Sequence, residues 1–327
     1  MRARIYVTQP IAASAAKRLR AAARVTMNPD SSRPLPKKNL IAAVKKADIL
    51  FPLLHDRVDR DVLAANPKLR AVCSMAITPD GIDVAEATAR GIPVTVVPPI
   101  VGEATADLNF GLMIAVARRM REGDRLLRKG GFPGGQSNHL AGSAVSGKVL
   151  GLVGGGGRIG RAVAKRAHGF SMEVLYWGPR RKPERDEKDF GMAYVPFDEL
   201  LKRSDFISLH PPLNGETRHM ISDREFALMK PTAFIINTAR GPIIDEAALI
   251  RALTRKHIAG AGLDVYEHEP KVATALRKME NVVLTPHMGS AVASLREVMA
   301  NIVVDNVVAL LDGTPPPNCV NAQVLER

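Results

Sequence analysis

The sequence is short of aromatic residues, of cysteine and of long apolar stretches. Aromatic residues make up 4% of its 327 residues, and no basic run is interleaved with them, which argues against the stacking platforms of nucleic-acid-binding proteins. The two cysteines, Cys73 and Cys319, show no metal or disulfide spacing, so we expect no metal site and a reducing, cytoplasmic location. No apolar run is long enough to span a bilayer, so no membrane association is expected.

The sequence is rich in positive charge. Lysine and arginine number 46 against 33 acidic residues, for a formal charge of +13. Such a field attracts phosphates and carboxylates, although a solvated basic surface is the alternative. The acid-free segment before Asp30 weakly resembles a mitochondrial presequence, but its alternation at 4–8 and helical pattern at 11–23 place it within the fold.

Short apolar runs alternate with helical stretches along the whole chain, whose length favours two domains. This rhythm predicts an α/β protein with parallel sheets. Helices are expected at 37–46, 103–128, 159–168 (ended by Gly169) and 295–311. Strands are expected at 5–7, 49–53, 69–73, 94–97, 149–153, 174–177, 206–209, 233–237, 259–263 and 282–284.

A glycine cluster separates the strand predicted at 149–153 from the helix that follows. Gly155, Gly157 and Gly160 have the G-x-G-x-x-G spacing. Glycine permits a tight turn and close backbone approach, so a pyrophosphate can sit on the helix N-terminus while helix and strand pack closely. A glycine cluster alone is weak evidence, but the order strand, loop, helix and strand indicates dinucleotide binding.

No acidic residue stands at the tip of the next predicted strand, which ends at Trp177. An acid at this point would bind the ribose 2′-hydroxyl of NAD, whereas nearby cations suit the 2′-phosphate of NADP. The chain continues G-P-R-R-K over 178–182, so Gly178, Arg180 and Arg181 are predicted cofactor contacts. NADP(H) is therefore the expected cofactor and NAD(H) the alternative. The alternative interpretation of the basic residues is a solvated surface turn that binds no cofactor.

Five further motifs occur in one order around the glycine cluster. They are E-A-T-A-D-L at 103–108, L-H-P-P-L at 209–213, N-T-A-R-G at 237–241, A-G-L-D-V-Y-E-H-E-P at 261–270 and L-T-P-H-M-G-S at 284–290. Together they resemble the D-isomer-specific 2-hydroxyacid dehydrogenases, and most of all their glyoxylate/hydroxypyruvate reductase branch. The resemblance implies NADP(H)-dependent reduction of a small 2-keto acid to the D-2-hydroxy acid.

The resemblance also implies an architecture. It consists of two Rossmann-like domains with parallel sheets and a cleft between them, one flavodoxin-like and one dinucleotide-binding. The substrate-binding domain would comprise residues 1–100 and 290–327, and the dinucleotide-binding domain residues 101–289. Relatives of this kind are usually homodimers, with the helical segment 103–128 and the following loop at the interface.

Reduction of a keto acid needs a hydride, a proton for the carbonyl oxygen and an anchor for the carboxylate. Histidine is a natural proton donor near neutral pH, and arginine matches a carboxylate at two points. His287 and Arg240 each follow a predicted strand, at the sheet edge where α/β proteins place ligands. A packed histidine and a capping cation are the alternatives. The resemblance makes His287 the acid/base and Arg240 the substrate anchor.

A carboxylate near His287 would favour its protonated form. From the residues alone, either Glu267 or Glu269 could be the carboxylate that pairs with His287. The resemblance selects Glu269 and implies that Asp264 orients the nicotinamide. It also implies backbone contacts to the substrate at Ile77 and Thr78. Further cofactor contacts are implied at Thr105, Arg158, Ile159, Pro211, Thr217, Thr238, Ala239 and Gly289.

Two departures from the family pattern stand out. The glycine cluster has one residue more than usual, so Gly154 to Gly157 allow several registers. The loop at 75–80 has Thr78 and Pro79 where a glycine and an aromatic are usual, so the pocket is expected to differ in shape. A phosphite or formate dehydrogenase and a non-catalytic NAD(P)-sensing corepressor remain alternatives, although the loop lacks the lysine of phosphite enzymes.

Overall fold

The structure is a computed structural model that describes residues 2–326. The chain forms two compact units. Unit 1 runs up to Ile100 and resumes at Ala291, and unit 2 is the inserted segment Val101–Ser290. Across the described range, the helices are all too short or too polar to cross a membrane. Both cysteines are free thiols.

The strands form two sheets in which every pairing is parallel. The strands are β1 (Arg4–Val7), β2 (Arg24–Met27), β3 (Ile49–Phe51), β4 (Ala71–Cys73), β5 (Val94–Thr95), β6 (Val149–Val153), β7 (Glu173–Trp177), β8 (Ala193–Tyr194), β9 (Phe206–Leu209), β10 (Phe234–Asn237), β11 (Gly260–Leu263) and β12 (Val282–Leu284). Unit 1 has the order β2-β1-β3-β4-β5, and unit 2 has β12-β11-β10-β9-β6-β7-β8. The first order is flavodoxin-like and the second is doubly wound, which confirms the predicted fold class.

Helices connect successive strands in both units. They are α1 (Ala13–Ala22), α2 (Lys37–Val44), α3 (Arg60–Ala64), α4 (Val84–Ala89), α5 (Gly102–Ala117), α6 (Met120–Arg128), α7 (Arg158–His168), α8 (Glu184–Asp189), α9 (Phe197–Arg203), α10 (Asp223–Leu228), α11 (Glu246–Thr254), α12 (Thr274–Lys278) and α13 (Ala293–Leu311). Two 3₁₀ helices span Gly241–Ile243 and Ala322–Glu326.

The sheet of unit 2 is buried on both faces, as continuous apolar strands require. All four residues of β9 and of β10 are buried. One face packs against α5 and α7 through residues such as Met113 and Val163. The other face packs against α9, α10 and α11, where Leu200, Phe226 and Leu249 are buried. The sheet is therefore a rigid platform whose strand ends carry the loops described below.

The helix predicted at 103–128 is in fact two helices, so this prediction was wrong. The break lies at Arg118 and Arg119, and Arg119 has a left-handed φ of 54°. Its guanidinium pairs with Glu122 at 3.0 Å. The apolar residues Met120 and Leu127 of the second helix are 56% and 55% exposed. Sequence periodicity missed the break because neither glycine nor proline marks it.

The helix predicted at 159–168 is confirmed as α7, which ends at His168 with Gly169 as its C-cap. Gly169 has an ordinary helical φ of −62°, and the left-handed residue of this turn is Ser171, with φ 53°. Strands β2 and β8 were not predicted. Each lies at an edge of its sheet with no fully buried residue, so both lack the apolar run that identified the other strands.

Candidate active site

The ends of four neighbouring strands meet at one edge of the unit 2 sheet. In register, Leu209 pairs with Asn237, Asn237 with Leu263, and Leu263 with Leu284. On the other side Val153 of β6 pairs with Leu209. Since β6 contacts both β7 and β9, the strand order reverses here, and ligands of α/β sheets bind outside such a switch point.

His287 and Glu269 are in direct contact at this edge. The Nδ1 atom of His287 lies 2.8 Å from Oε2 of Glu269, and the two side chains are 24% and 21% exposed. The other oxygen of Glu269 accepts a hydrogen bond from the backbone N–H of Tyr266 at 3.0 Å. The backbone of Tyr266 thus positions the Glu269 carboxylate, and the carboxylate contacts the imidazole at Nδ1.

The backbone around His287 is held in an unusual conformation by Asp264. His287 has a left-handed φ of 52°, and its N–H donates to the carbonyl oxygen of Asp264 at 2.8 Å. The Asp264 carboxylate accepts from the Thr285 hydroxyl at 2.6 Å and from the N–H groups of Met288 and Gly289 at 2.8 and 2.9 Å. Burial raises the pKa of Asp264 above its ordinary range. In the structure, therefore, Asp264 fixes the turn that presents His287.

Glu267, the alternative partner, points to a different histidine. Its Oε1 atom lies 2.6 Å from Nε2 of His219. Its Oε2 atom accepts from the N–H of Glu246, and the Glu246 carboxylate accepts from the N–H of Glu267 in return. Glu267 therefore ties together the segments that follow β9, β10 and β11, and Glu269 is the acid beside His287.

Arg240 lies on a loop that is organised by Asn237, the last residue of β10. The Asn237 side chain accepts from the N–H of Ala239 and donates to the carbonyl oxygen of Arg240, both at 3.0 Å. The Arg240 guanidinium donates to the carbonyl of Ala239 at 2.7 Å. Its side chain is partly buried. Asn237 opens the N-T-A-R-G motif, but nothing in the sequence alone indicates that its side chain organises this loop.

Gly241 brings the Arg240 loop against the loop that carries Glu269. A Cβ atom at Gly241 would overlap the backbone carbonyl of Tyr266 and would lie 2.5 Å from the N atom of Glu267. Both obstacles are backbone, so no side-chain rotation can relieve them. Glycine is thus required for the two loops to pack together.

We expect Gly241→Ala to destabilise the protein by about 1–3 kcal/mol and to lower activity, because the added methyl group forces the loops apart. Denaturant unfolding and steady-state kinetics measure the two effects. Gly215→Ala is the matched control, since nothing lies within 4 Å of the Cβ position there. Equal stability of the two variants would contradict the expectation.

The glycine loop has a defined register in the structure. Gly154 makes the turn with a φ of 76°, and its N–H donates to the carbonyl of Trp177 at 2.8 Å. Gly155 and Gly160 pack so closely that a Cβ on Gly160 would lie 2.6 Å from Cα of Gly155. Gly157 caps the N-terminus of α7. Gly156 lies directly before this cap, between the turn and the helix.

These features fit a bound dinucleotide. The first turn of α7 begins at Arg158 and Ile159, directly after a loop without side chains. The N-terminus of a helix favours an anion such as a pyrophosphate. The loop also approaches the end of β9, because a Cβ on Gly154 would lie 2.7 Å from the N atom of Pro211. The cradle is thus formed by backbone at the switch point of the sheet.

The predicted cofactor contacts beyond the glycine loop differ in their exposure and in their hydrogen-bond partners. Arg180 and Arg181 are exposed, and Arg181 forms a two-point ion pair with Glu187. The Thr105 hydroxyl donates to the carbonyl of Gly289 at 3.4 Å. The Thr217 hydroxyl donates to Pro212 within its own turn. Gly178 and Ala239 are buried.

A buried polar string connects α5 with β9 and β10 beneath this edge. The Asn109 amide donates to the hydroxyls of Ser208 and Thr238 at 2.7 and 3.2 Å. Ser208 in turn lies 2.9 Å from Nε2 of His210. Burial lowers the pKa of His210 to about 3, so this imidazole is neutral at physiological pH. His210 therefore does not compete with His287 as a proton donor.

Ile77 and Thr78 belong to unit 1, in the loop that follows β4. The loop is fixed at Ala76, whose N–H donates to the Ser74 hydroxyl at 3.1 Å and whose carbonyl accepts from Val97 at 2.9 Å. The Thr78 hydroxyl donates to the Asp80 carboxylate at 2.9 Å. Both predicted substrate-binding residues are partly exposed.

Comparison with known families agrees with this architecture. The family model described as "D-isomer specific 2-hydroxyacid dehydrogenase, NAD binding domain" matches residues 110–289, which lie within unit 2. The chain belongs to this family. It is an NAD(P)-dependent oxidoreductase that interconverts 2-keto and 2-hydroxy acids, as the sequence predicted.

Individual relatives extend the similarity over the whole chain. A glyoxylate reductase of Thermococcus litoralis is 45% identical over 329 residues, covering 99% of this chain and 98% of the relative. The crystal structure of a glyoxylate reductase from Paecilomyes thermophila is 31% identical with a TM-score of 0.82, covering 98% and 99%. An NADPH-dependent glyoxylate/hydroxypyruvate reductase of Sinorhizobium meliloti, solved with NADP and malonate, is 29% identical with a TM-score of 0.78, covering 98% and 97%.

Proposed function

We propose that this protein uses NADPH to reduce a small 2-keto acid, of the glyoxylate or hydroxypyruvate type, to the D-2-hydroxy acid. The observation that carries the proposal is the His287–Glu269 contact at the strand ends that also hold the Arg240 loop. The names of the Thermococcus litoralis and Sinorhizobium meliloti relatives favour the same substrates.

The proposed roles follow from the chemistry of the side chains. The nicotinamide cofactor, when bound, supplies the hydride. His287 donates the proton to the carbonyl oxygen through Nε2, because Nδ1 is engaged by Glu269. Glu269 stabilises the protonated ring and keeps it oriented. Arg240 holds the substrate carboxylate through its planar guanidinium.

The preference for NADPH rests on the turn that follows β7. No acid follows Trp177 at the strand tip, and the turn presents three cations at 180–182. The Sinorhizobium meliloti relative was solved with NADP. Unit 1 is the proposed substrate-binding domain, with backbone contacts from Ile77 and Thr78. The proposed location is the cytoplasm, where thiols such as Cys73 and Cys319 remain reduced.

A panel of NADPH-oxidation assays over glyoxylate, hydroxypyruvate, pyruvate and bulkier 2-keto acids tests the proposal. We expect turnover of at least one small 2-keto acid, with a D product on chiral analysis. Because a charge-assisted contact to the 2′-phosphate is worth about 1.5–3 kcal/mol, kcat/KM should favour NADPH over NADH by about tenfold or more. Absence of turnover would contradict the proposal and favour a cofactor-sensing role. Equal use of NADH would remove the NADPH preference alone.

A homodimer is also proposed, through α6 and the loop after it. Helix α6 buries none of its residues. Met120 and Leu127 on this helix are 56% and 55% exposed, and Phe132 in the loop is 80% exposed. Large apolar side chains clustered in one exposed segment are typical of protein interfaces. A second copy of the same segment is the partner proposed here.

We expect Phe132→Ser to weaken dimerisation, because an exposed aromatic residue in an interface core contributes about 2 kcal/mol or more. Sedimentation velocity over a range of protein concentrations measures the dissociation constant. Val320→Ser is the control, since Val320 is 42% exposed but belongs to unit 1. A monomeric wild-type protein at micromolar concentration would contradict the dimer itself.

A further inference from the structure

The turn after β7 is fixed by a buried tyrosine. Tyr176, the residue before Trp177, is fully buried, and its hydroxyl accepts a hydrogen bond from the backbone N–H of Lys182 at 2.8 Å. The same hydroxyl donates to Oε1 of Glu187 at 2.7 Å. Tyr176 thus links the position of Lys182 to helix α8.

Arg181 also binds Glu187, the residue of α8 that Tyr176 contacts. Its Nε and Nη2 atoms donate to the two carboxylate oxygens of Glu187, each at 2.8 Å. Glu187 is 8% exposed, and the guanidinium of Arg181 lowers the pKa of this carboxyl to about 2. A two-point ion pair of this kind is geometrically specific. Arg181 therefore holds the turn in place through its Nε and Nη2 atoms.

Lys182 lies across the glycine loop. A Cβ atom on Gly156 would lie 2.9 Å from Cγ and 3.1 Å from Cδ of Lys182, and closer still to Cε. The lysine stem thus occupies the space above Gly156, and the lysine is partly buried there. Among residues 2–326, no carboxylate pairs with its ammonium group. A cation is therefore held beside the phosphate cradle without a counter-ion.

We propose that Lys182, laid across Gly156, is a specificity-determining residue that binds the 2′-phosphate of NADP(H), and that Arg181 is a positioning residue. The inference rests on the proposed use of NADPH. The ribose of a dinucleotide lies at the tip of the second strand, here β7, whereas its pyrophosphate lies on the start of α7. Lys182 follows the β7 tip, and an ammonium offers three donors to a phosphate.

The test measures cofactor binding and needs no turnover. Trp177 is the only tryptophan of the chain and ends β7, so its fluorescence reports dissociation constants for NADP⁺ and NAD⁺. Lys182→Met keeps the aliphatic stem but removes the charge. Gly156→Ala keeps the charge but displaces the stem. Lys188→Met on α8 is the matched control, since Lys188 is exposed and pairs with Glu184 at 2.7 Å.

We expect Lys182→Met to weaken NADP⁺ binding by about tenfold or more and to leave NAD⁺ binding nearly unchanged. Gly156→Ala should reduce the preference for NADP⁺ in the wild-type background but not in the Lys182→Met background, because both changes act through one ammonium group. Lys188→Met should alter neither constant.

Equal weakening of both cofactors by Lys182→Met would place the ammonium on the pyrophosphate and overturn the inference. Unchanged NADP⁺ binding in a folded Lys182→Met protein would overturn it as well and would leave Arg180 as the reader of the phosphate. A wild-type protein that binds NADP⁺ and NAD⁺ equally would remove the proposed NADPH preference itself. The wild-type measurement therefore separates the two failures.

Discussion

His287→Gln is expected to lower the turnover of 2-keto acid by about a hundredfold to ten-thousandfold, the usual contribution of a general acid. Glutamine can still donate a hydrogen bond toward Glu269, which lies 2.8 Å from Nδ1 in the structure. It cannot release a proton to the carbonyl oxygen. NADPH binding should stay close to the wild-type value, because the substitution removes proton transfer and leaves the glycine loop intact. Steady-state kinetics and the fluorescence of Trp177 measure the two quantities.

An exposed histidine provides the control for this substitution. His257 lies in the turn between α11 and β11, outside the cluster of strand-end loops. His257→Gln should leave turnover unchanged. A near-wild-type rate for His287→Gln would remove His287 from the role of general acid, and a rate lost together with NADPH binding would indicate a structural role instead.

Arg240→Ala is expected to lower kcat/KM for the 2-keto acid by at least about thirtyfold, since removal of one partner from a desolvated charge pair costs about 2–5 kcal/mol. The loss of kcat/KM should come mainly from a higher KM for the keto acid, because the carboxylate is bound similarly in the ground state and the transition state. A substrate saturation series at fixed NADPH separates the two parameters. Arg240→Lys should restore little, because an ammonium cannot form the two-point contact.

The matched control is Arg255→Ala, an exposed arginine just beyond α11. Its kinetics should equal those of the wild type. If Arg240→Ala lowers kcat while the KM for the keto acid stays the same, the guanidinium acts in the chemical step and does not anchor the carboxylate.

The fold class was predictable because its signal is strong and local. Strands such as β9 and β10 are buried on both faces and read as unbroken apolar runs. The glycine cluster predicted the loop between a strand and a helix that the structure shows between β6 and α7. Edge strand β2 and the break before α6 were missed, because half-exposed residues and a left-handed Arg119 leave no such pattern.

From the residues alone, the site was predictable only as a set of residue types at strand ends, and it was the family resemblance that selected Glu269 over Glu267. Which acid faces His287 depends on how two loops pack, and that packing is set by Gly241 against the backbone of Tyr266. The pairing of Arg181 with Glu187 was likewise not predictable from the sequence, since it requires α8 to fold back on β7. The motifs identified candidates, and tertiary contacts determine which candidates meet.

The left-handed backbone of His287 has a consequence for the stability of this fold. A non-glycine residue in that region costs about 1–3 kcal/mol, and the surrounding hydrogen bonds to Asp264 offset it. Glycine at this position would relieve the backbone strain, but it would also remove the imidazole that contacts Glu269. The turn therefore gives up some thermal robustness in order to carry a side chain at this point.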